Sequence, residues 1–167
     1  MPQSIVLTGP MGSGKTSVGR LLAEKTGYYF VDLDEVIVKN SGRTISQIFD
    51  QDGEPAFRQM ESEALAALAG RTDIVLSTGG GSVLLPENRE LMRKIGKVVN
   101  LIATVELLAS RLSSANDRPL LKGGEGLATT IADLLYKREQ CYADCDLRID
   151  TTGKSVEDVA AELLRSI

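Results

Sequence analysis

The chain has 167 residues, of which 43% are hydrophobic and 25% are charged, and this composition suits one globular domain with a sizeable core. The net charge of −4 and the absence of any run of Lys or Arg weigh against nucleic acid as a partner. No apolar run approaches the roughly 20 residues of a membrane-spanning helix, and the first residues lack the pattern of a signal peptide, so we expect a cytoplasmic protein without a membrane partner.

The two cysteines, Cys141 and Cys145, lie four residues apart in a segment of helical period, and the chain contains no histidine. Structural zinc sites are built from clusters of Cys and His, so this composition argues against a zinc site. We therefore predict two reduced and partly buried thiols.

Short apolar runs alternate along the chain with longer segments of helical period. Strands are predicted at residues 4–8, 28–32, 73–77, 97–102 and 146–150. Helices are predicted at residues 15–26, 34–40, 44–52, 55–69, 87–95, 105–112, 127–143 and 156–166, and a long loop at residues 113–126. Gly42 and Gly96 are predicted to end the second and the fifth helix. This alternation predicts an α/β sandwich with a parallel sheet between layers of helices.

Two glycine-rich segments follow predicted strands: residues 9–16, and Gly79, Gly80 and Gly81, which we call the glycine triplet. Ligands of parallel α/β sheets bind beyond the carboxyl ends of the strands, so we expect both segments on one face of the molecule. Three residues without side chains lose much backbone entropy on folding, which indicates that something approaches the bare backbone there. A flexible turn is the alternative interpretation of the triplet.

The segment GPMGSGKT fits the pattern G-x-x-x-x-G-K-[ST], between a predicted strand and a predicted helix. In this context the backbone N–H groups and the helix dipole favour phosphate oxygens, Lys15 reaches the β- and γ-phosphates, and Thr16 ligates Mg²⁺. A tight strand-to-helix turn would not explain a Lys followed by a Thr. We call this segment the Walker loop, and the predicted nucleotide contacts are its residues Gly12, Ser13, Gly14, Lys15 and Thr16, together with Ser17 directly after it.

Two carboxylates follow the second predicted strand, Asp32 and Asp34, on either side of Leu33. In an extended chain they would point the same way. Such a pair could hold a hydrated Mg²⁺ and accept a proton, whereas Asp34 could instead simply start the helix that follows as its N-cap. Spacing alone favours neither interpretation.

Three arginines lie in suggestive places, and each has an ordinary explanation. Arg58 has Glu61 three residues further along its helix, the spacing of a solvated ion pair. Arg118 lies in the long loop, where arginines are commonly just exposed. Arg138 is near the end of a helix, where its charge would favour the dipole. Composition and spacing do not show that the three converge.

Eight segments together resemble the shikimate kinase family, within the P-loop nucleoside-monophosphate-kinase-like group. They lie at residues 9–23, 30–37, 41–49, 53–62, 77–84, 88–89, 118–121 and 138–142. The Walker pattern occurs in many families, but its combination with DLD, FRxxE, GGG and RPLL is much more specific. Asn100, where the family often has an aromatic residue, and Gln140, where it often has proline, depart from the family's pattern.

The resemblance implies the fold, the reaction and the ligands. The fold would be a P-loop kinase with a lid, a three-layer sandwich around a five-stranded parallel sheet of order 2-3-1-4-5. One domain would span residues 1–167, with the lid at about residues 112–125 and a substrate-binding helical region at about residues 33–61. The reaction would be the ATP-dependent, Mg²⁺-dependent phosphorylation of the 3-hydroxyl of shikimate, in aromatic amino acid biosynthesis. A monomer is expected.

At the substrate end, the resemblance implies four roles. Asp34 would bind the hydroxyls of shikimate and serve as the base, or help orient it, at the attacked oxygen. Arg58 and Arg138 would hold the carboxylate, which suits the planar fork of a guanidinium. The glycine triplet would bring backbone N–H groups against the ring hydroxyls, so that a side chain at Gly80 would fill the space of the substrate.

At the nucleotide end, the resemblance adds three residues to the Walker loop. Asp32 would support Mg²⁺ through water. Arg118, on the lid, would close over the transferred phosphate and, with Lys15 and Mg²⁺, supply most of the catalysis. Arg111 would stack on adenine. A related kinase such as a gluconate kinase, a nucleotide-binding regulatory protein without metabolic turnover and a degenerate copy remain alternatives, although no catalytic position is missing.

Overall fold

The computed structural model describes residues 3–113 and 126–167, and the strands in this part of the chain form one five-stranded sheet. They are β1 (Ser4–Thr8), β2 (Tyr29–Asp32), β3 (Ile74–Ser77), β4 (Gly96–Ile102) and β5 (Leu147–Asp150). Every neighbouring pair is parallel, and the order is β2-β3-β1-β4-β5. The predicted parallel sheet and its strand order are confirmed.

Helices cover both faces of this sheet. They are α1 (Lys15–Thr26), α2 (Leu33–Ser41), α3 (Ile45–Asp52), α4 (Glu54–Leu68), α5 (Pro86–Ile95), α6 (Val105–Leu112), α7 (Leu127–Ala143) and α8 (Val156–Ser166). One layer consists of α1 and α8, and the opposite layer is built mainly from α2, α4, α5 and α7. The predicted three-layer sandwich is therefore confirmed.

The alternation of side chains along β1 shows how the two layers are held. Ile5 and Leu7 point into the core beneath α1 and α8, whereas Val6 points into the core that contains Tyr142 of α7. Because helices cover both faces, every residue of β1 is buried, and the strand appears in the sequence as a nearly continuous apolar run.

The sheet brings the predicted site segments to one edge. The Walker loop follows β1, and the glycine triplet follows β3, the neighbour of β1 in the sheet. Thr78, directly before the triplet, is bonded to β1, the strand before the Walker loop. Both its backbone N–H and its hydroxyl donate to the carbonyl oxygen of Leu7, at 3.1 and 2.8 Å. The expectation that the two glycine-rich segments share one face is confirmed.

The predicted start of the second helix is wrong by one residue, with a consequence for the two carboxylates. The chain becomes helical at Leu33, and Asp32 is the N-cap, with its Oδ1 accepting from the N–H groups of Asp34 at 2.9 Å and Glu35 at 3.2 Å. Asp34 is therefore not the cap, and the expectation that Asp32 and Asp34 point the same way from an extended chain fails. Asp34 is left in the first helical turn.

Both glycines that were predicted to end helices do so, although one of them also begins a strand. Gly42 ends α2 as predicted, but Gly96 both closes α5 and begins β4, one residue earlier than predicted. A Cβ at Gly96 would overlap the carbonyl oxygen of Ser4, so the neighbouring strand approaches too closely for any side chain. Cys145 lies beyond the end of α7, and both it and Cys141 are free, half-buried thiols.

Most of the predicted lid, and with it Arg118, lies outside the described residues. Only its first two positions, Leu112 at the end of α6 and Ser113 after it, belong to the described part of the chain. Within residues 3–113 and 126–167, no helix combines the length and the hydrophobicity that crossing a membrane requires.

Candidate active site

Two cavities open side by side at the carboxyl edge of the sheet. The first, of about 530 Å³, surrounds the Walker loop, and we call it the Walker cavity. The second, of about 490 Å³, lies between the glycine triplet and helices α2, α3 and α4, and we call it the glycine cavity. Both cavities are lined by Met11, Asp34, Glu35, Gly79 and Gly80. A ligand in one cavity would therefore meet a ligand in the other beside Asp34.

The backbone of the Walker loop has the form that phosphate binding needs. Gly12 and Gly14 have φ of 81° and 96°, the left-handed region that favours glycine, and Gly14 is the N-cap of α1 without a side-chain cap. The first N–H groups of α1 are thus available to an anion. The ammonium of Lys15 is nearly buried and donates to the carbonyl oxygens of Gly9 at 2.8 Å and Pro10 at 2.9 Å. The cation is held directly over the loop.

Two oxygen groups meet at the rim of the Walker cavity. The Thr16 hydroxyl, in the first turn of α1, donates to Oδ2 of Asp32 at 3.3 Å, while the other carboxylate oxygen of Asp32 caps α2. Hard oxygen ligands suit Mg²⁺, which usually takes one or two protein groups and completes its shell with phosphates and water. The paired oxygens of Thr16 and Asp32 beside a phosphate-binding loop fit such an ion.

Arg58, on α4, projects into the glycine cavity already paired. Its Nη1 lies 2.5 Å from Oε1 of Glu61, and its Nη2 lies 3.0 Å from Oε1 of Glu54. Burial alone would lower the pKa of Arg58, but the charges of the two carboxylates raise it above its ordinary value. The predicted i,i+3 pair exists, but it is not the solvated pair expected from the sequence, because Glu61 is completely buried.

The buried carboxylate of Glu61 ties Arg58 to the glycine triplet. Its second oxygen accepts a short hydrogen bond from the hydroxyl of Ser82, and Oγ of Ser82 accepts from the N–H of Gly79 at 3.1 Å. The N–H of Gly79 is therefore already bonded within the protein. A ligand that bonds the N–H of Gly79, as the sequence analysis predicts, would therefore have to compete with the hydroxyl of Ser82.

The space around the triplet explains two of its three glycines. A Cβ at Gly81 would lie 2.6 Å from Cζ of Arg58, and one at Gly79 would lie 2.9 Å from Oε2 of Glu61. The bare backbone at these two positions lets the ion pair approach the chain. At Gly80 a Cβ would make only ordinary contacts, with Met11 at 3.4 Å and Arg138 at 3.5 Å.

Arg138, on α7, is 6% exposed and lies beside Gly80. In the described part of the chain no carboxylate pairs with it, in contrast to Arg58. Tyr142, one turn further along α7, donates from its hydroxyl to the carbonyl oxygen of Gly80 at 2.5 Å, and burial raises the pKa of this tyrosine although the charge of Arg138 opposes the shift. Within residues 3–113 and 126–167, the positive charge of Arg138 is thus not paired with a carboxylate.

The remaining side of the Walker cavity comes from segments that the sequence prediction largely missed. Arg111, at the end of α6, donates to the carbonyl oxygen of Gly12 at 2.7 Å. The cavity is also lined by Thr151, Lys154, Ser155, Val156 and Val159. The first three belong to the loop after β5, so applying the rule for carboxyl ends of strands to the fifth strand would have found them. Ser82 and Tyr142 carry no local signal of their roles.

Known proteins resemble this chain over nearly its whole length. The family model for shikimate kinase matches residues 11–167. A shikimate kinase of Geobacter metallireducens is 53% identical over 161 residues, which are 96% of this chain and 89% of that protein. The solved structure of shikimate kinase from Acinetobacter baumannii in complex with shikimate is 39% identical, with a TM-score of 0.95, and the match covers 99% of this chain and 93% of the other. The shikimate kinase of Aquifex aeolicus is 35% identical, with a TM-score of 0.85, over 98% of this chain and 95% of the other.

Proposed function

The chain belongs to the shikimate kinase family, and from this premise we propose that it transfers the γ-phosphoryl group of ATP to the 3-hydroxyl of shikimate. The observation that carries the proposal is the junction of the two cavities at Asp34. One cavity offers a phosphate-binding loop, and the other offers Arg58, with Arg138 beside Gly80 of its wall, as guanidinium groups suited to an acid. Phosphoryl transfer depends mainly on positioning and charge neutralisation, so a junction of this kind is what the reaction requires.

The Walker loop binds the phosphates of ATP in this proposal. The N–H groups of Gly12, Ser13, Gly14, Lys15, Thr16 and Ser17 lie in the loop and the first turn of α1, where the helix dipole also favours an anion. The ammonium of Lys15 exchanges the carbonyl oxygens of Gly9 and Pro10 for phosphate oxygens, so it neutralises charge as the phosphoryl group moves.

Thr16 and Asp32 would hold Mg²⁺, Thr16 directly and Asp32 through water. When bound, the ion supplies positive charge to the phosphate oxygens. The capping bonds of Asp32 keep its carboxylate fixed, so that the oxygen facing Thr16 stays in place.

The glycine cavity binds the acid. Arg58 and Arg138 hold the carboxylate through their planar forks, and Arg138 supplies the charge that no carboxylate of the described chain neutralises. The glycine triplet forms the adjoining wall. Asp34 lines both cavities and orients the attacked hydroxyl, either as its base or by a hydrogen bond.

The proposal keeps the expected roles of Arg118 and Arg111 at the nucleotide. Arg118 closes with a lid at about residues 112–125, and Arg111, which lines the Walker cavity, lies against adenine. The lid excludes water from the transferred group. We further propose one domain over residues 1–167, with the substrate-binding helical region at about residues 33–61, that works as a cytoplasmic monomer.

Release of ADP by the purified protein tests the proposed reaction. The assay compares shikimate, quinate, gluconate and no acceptor at a fixed concentration of Mg-ATP. We expect strong stimulation by shikimate alone, because the two arginines select a carboxylate at a fixed distance from Asp34. Preferential stimulation by gluconate would point to a different small-molecule kinase. ATP binding without stimulation by any acceptor would overturn the proposed activity and favour a regulatory role.

A further inference from the structure

A completely buried asparagine, Asn100 of β4, stands in the sheet where an apolar side chain would ordinarily pack. Its register partners are Thr8 of β1 and Arg148 of β5, so three polar side chains form a row across neighbouring strands. Nδ2 of Asn100 donates to Oγ1 of Thr8 at 3.2 Å, and Nε of Arg148 donates to Oδ1 of Asn100 at 3.1 Å. Both ends of the buried amide are therefore used.

The row continues from the sheet into α7. Nη1 and Nη2 of Arg148 donate to the two carboxylate oxygens of Glu139, at 2.6 and 3.1 Å. Two bonds from one planar guanidinium fix direction as well as distance. We call Thr8, Asn100, Arg148 and Glu139 the polar row.

Stability alone does not account for the polar row. The side chains of Arg148 and Glu139 are 33% and 56% exposed, and ion pairs with this exposure contribute little to the free energy of folding. A well-packed apolar side chain at position 100 would need no partners at all. What the row supplies is a fixed geometry between the sheet and α7.

The two ends of the row lie beside the two ligand-binding regions. Glu139 directly follows Arg138 in α7. Thr8 directly precedes Gly9, whose carbonyl oxygen accepts a hydrogen bond from Lys15. None of the row's residues lines either cavity, so the row acts through the elements that it joins.

We propose that the polar row sets the position of α7 on the sheet and thereby holds Arg138 where it meets the carboxylate of the substrate, an inference that rests on the proposed function. Arg138 has no carboxylate partner in the described chain, and the side chain that hydrogen-bonds to it, Tyr142, lies on the same helix, so the place of Arg138 depends on where that helix lies. Tyr142, bonded to Gly80, fixes one point of that helix, and Glu139 fixes another. Asn100, Arg148 and Glu139 are positioning residues in this scheme.

Steady-state kinetics of two conservative variants test the inference. Glu139→Gln removes the charge but keeps the shape, whereas Arg148→Lys keeps the charge but cannot bond Glu139 at both oxygens and Asn100 at once. We expect the KM for shikimate to rise about tenfold in each, since small displacements of a binding group are costly. The kcat and the KM for ATP should change less than about twofold. Glu157→Gln, on the exposed face of α8, loses the same charge and should leave all three constants unchanged.

A double variant separates positioning from folding. Asn100→Leu combined with Thr8→Val replaces both partners of the buried Asn100–Thr8 hydrogen bond by apolar groups, which costs little stability when the shapes fit, and it leaves only the partly exposed Arg148 without its bond to the sheet. We expect an unfolding midpoint close to that of the parent with a KM for shikimate that is still raised. The two conservative variants decide the matter alone if the double variant does not fold.

Two results would overturn the inference. One is a KM for shikimate equal to that of the parent in both Glu139→Gln and Arg148→Lys. The other is a fall in kcat together with rises of similar size in the KM for shikimate and the KM for ATP, which would indicate a general loss of structure. Failure of the proposed function is distinguishable, because the unmodified protein would then show no turnover that depends on shikimate.

Discussion

The two cavities share Asp34 but are built in opposite ways. The Walker cavity takes its phosphate-binding groups from one short segment, residues 9–16, and keeps the charge of Lys15 on backbone carbonyls. The glycine cavity draws its groups from α2, α3, α4 and the turn after β3, and one of its cations, Arg58, is already neutralised by carboxylates. In the proposed function, nucleotide binding is thus encoded locally, whereas recognition of the acid depends on tertiary contacts.

The largest effect should come from the Walker cavity. Replacing Lys15 by Met removes the cation that neutralises the transferred phosphate, so kcat should fall on the order of 10²- to 10³-fold. Shikimate binding, measured by calorimetry without nucleotide, should stay near that of the parent because Lys15 lies outside the glycine cavity. A loss of shikimate affinity as large as the loss in kcat would show that the two cavities are not separable in this way.

Arg58→Met tests whether the ion pairs in the wall of the glycine cavity stabilise the fold. The substitution leaves the fully buried Glu61 without its cation, and an uncompensated buried charge costs about 3 kcal/mol or more of the free energy of unfolding. Denaturant unfolding measures this loss. The paired variant Arg58→Met with Glu61→Gln should recover much of the stability, but not the affinity for shikimate.

Arg138→Met should show the reverse pattern. No carboxylate of the described chain loses its partner, so the free energy of unfolding should stay within about 1 kcal/mol of the parent or rise. Loss of charge-assisted hydrogen bonds to the acid should raise the KM for shikimate about 10- to 100-fold. A large loss of stability without a change in that KM would make Arg138 a structural residue and remove the contrast with Arg58.

The glycine triplet offers a matched pair of smaller changes. Ala at position 81 pushes against the guanidinium of Arg58 and should cost about 1–2 kcal/mol of unfolding free energy. Ala at position 80 meets only ordinary contacts, so its stability should change by less than about 0.5 kcal/mol, while the KM for shikimate rises if the substrate lies there. Equal stabilities of Gly81→Ala and Gly80→Ala would contradict the assigned roles.

The smallest expected effect is a pH dependence of stability at the polar row. The hydrogen bonds from Arg148 hold the pKa of Glu139 below its ordinary value. A lowered pKa in the folded state means stability that is present above the unfolded pKa and is lost as pH falls through the folded pKa. Because Glu139 is more than half exposed, solvent screening should keep this contribution below about 0.5 kcal/mol. The free energy of unfolding of the parent and of Glu139→Gln, compared from pH 6 down to pH 3, measures this contribution. Identical pH profiles of the two proteins would show that the pair of Arg148 and Glu139 does not contribute to stability.

The sequence was sufficient where the physics is local. Apolar runs and helical periods gave all five strands, and the Walker pattern gave its loop because eight consecutive residues determine that backbone. It began α2 one residue late and left open whether Asp34 is the cap, since Asp32 and Asp34 are equally good capping residues and only the end of β2 decides between them. It offered a solvated pair as the ordinary explanation of Arg58 and Glu61, because local spacing does not show that Glu61 is buried and bonded to Ser82, 21 residues away.

The roles of Arg58, Arg138 and Asp34 came from a family resemblance rather than from spacing. In the structure Asp34 and Arg58 line the glycine cavity and Arg138 lies beside Gly80, an arrangement that depends on how α2, α4 and α7 pack at one edge of the sheet. The partners of Asn100 could not be predicted either, since a lone polar residue in an apolar strand gives no sign of its hydrogen bonds to β1 and β5.

The central claim is that a phosphoryl group crosses from the Walker cavity to an acid in the glycine cavity. Phosphorus NMR of a reaction with Mg-ATP and shikimate tests it most directly, because the spectrum separates a sugar-like phosphate ester from inorganic phosphate. The account predicts one equivalent of a phosphate monoester on the 3-hydroxyl of shikimate for each ADP formed, with loss of the ester in Arg138→Met at low shikimate. ADP accompanied only by inorganic phosphate, at a rate that ignores shikimate, would contradict it.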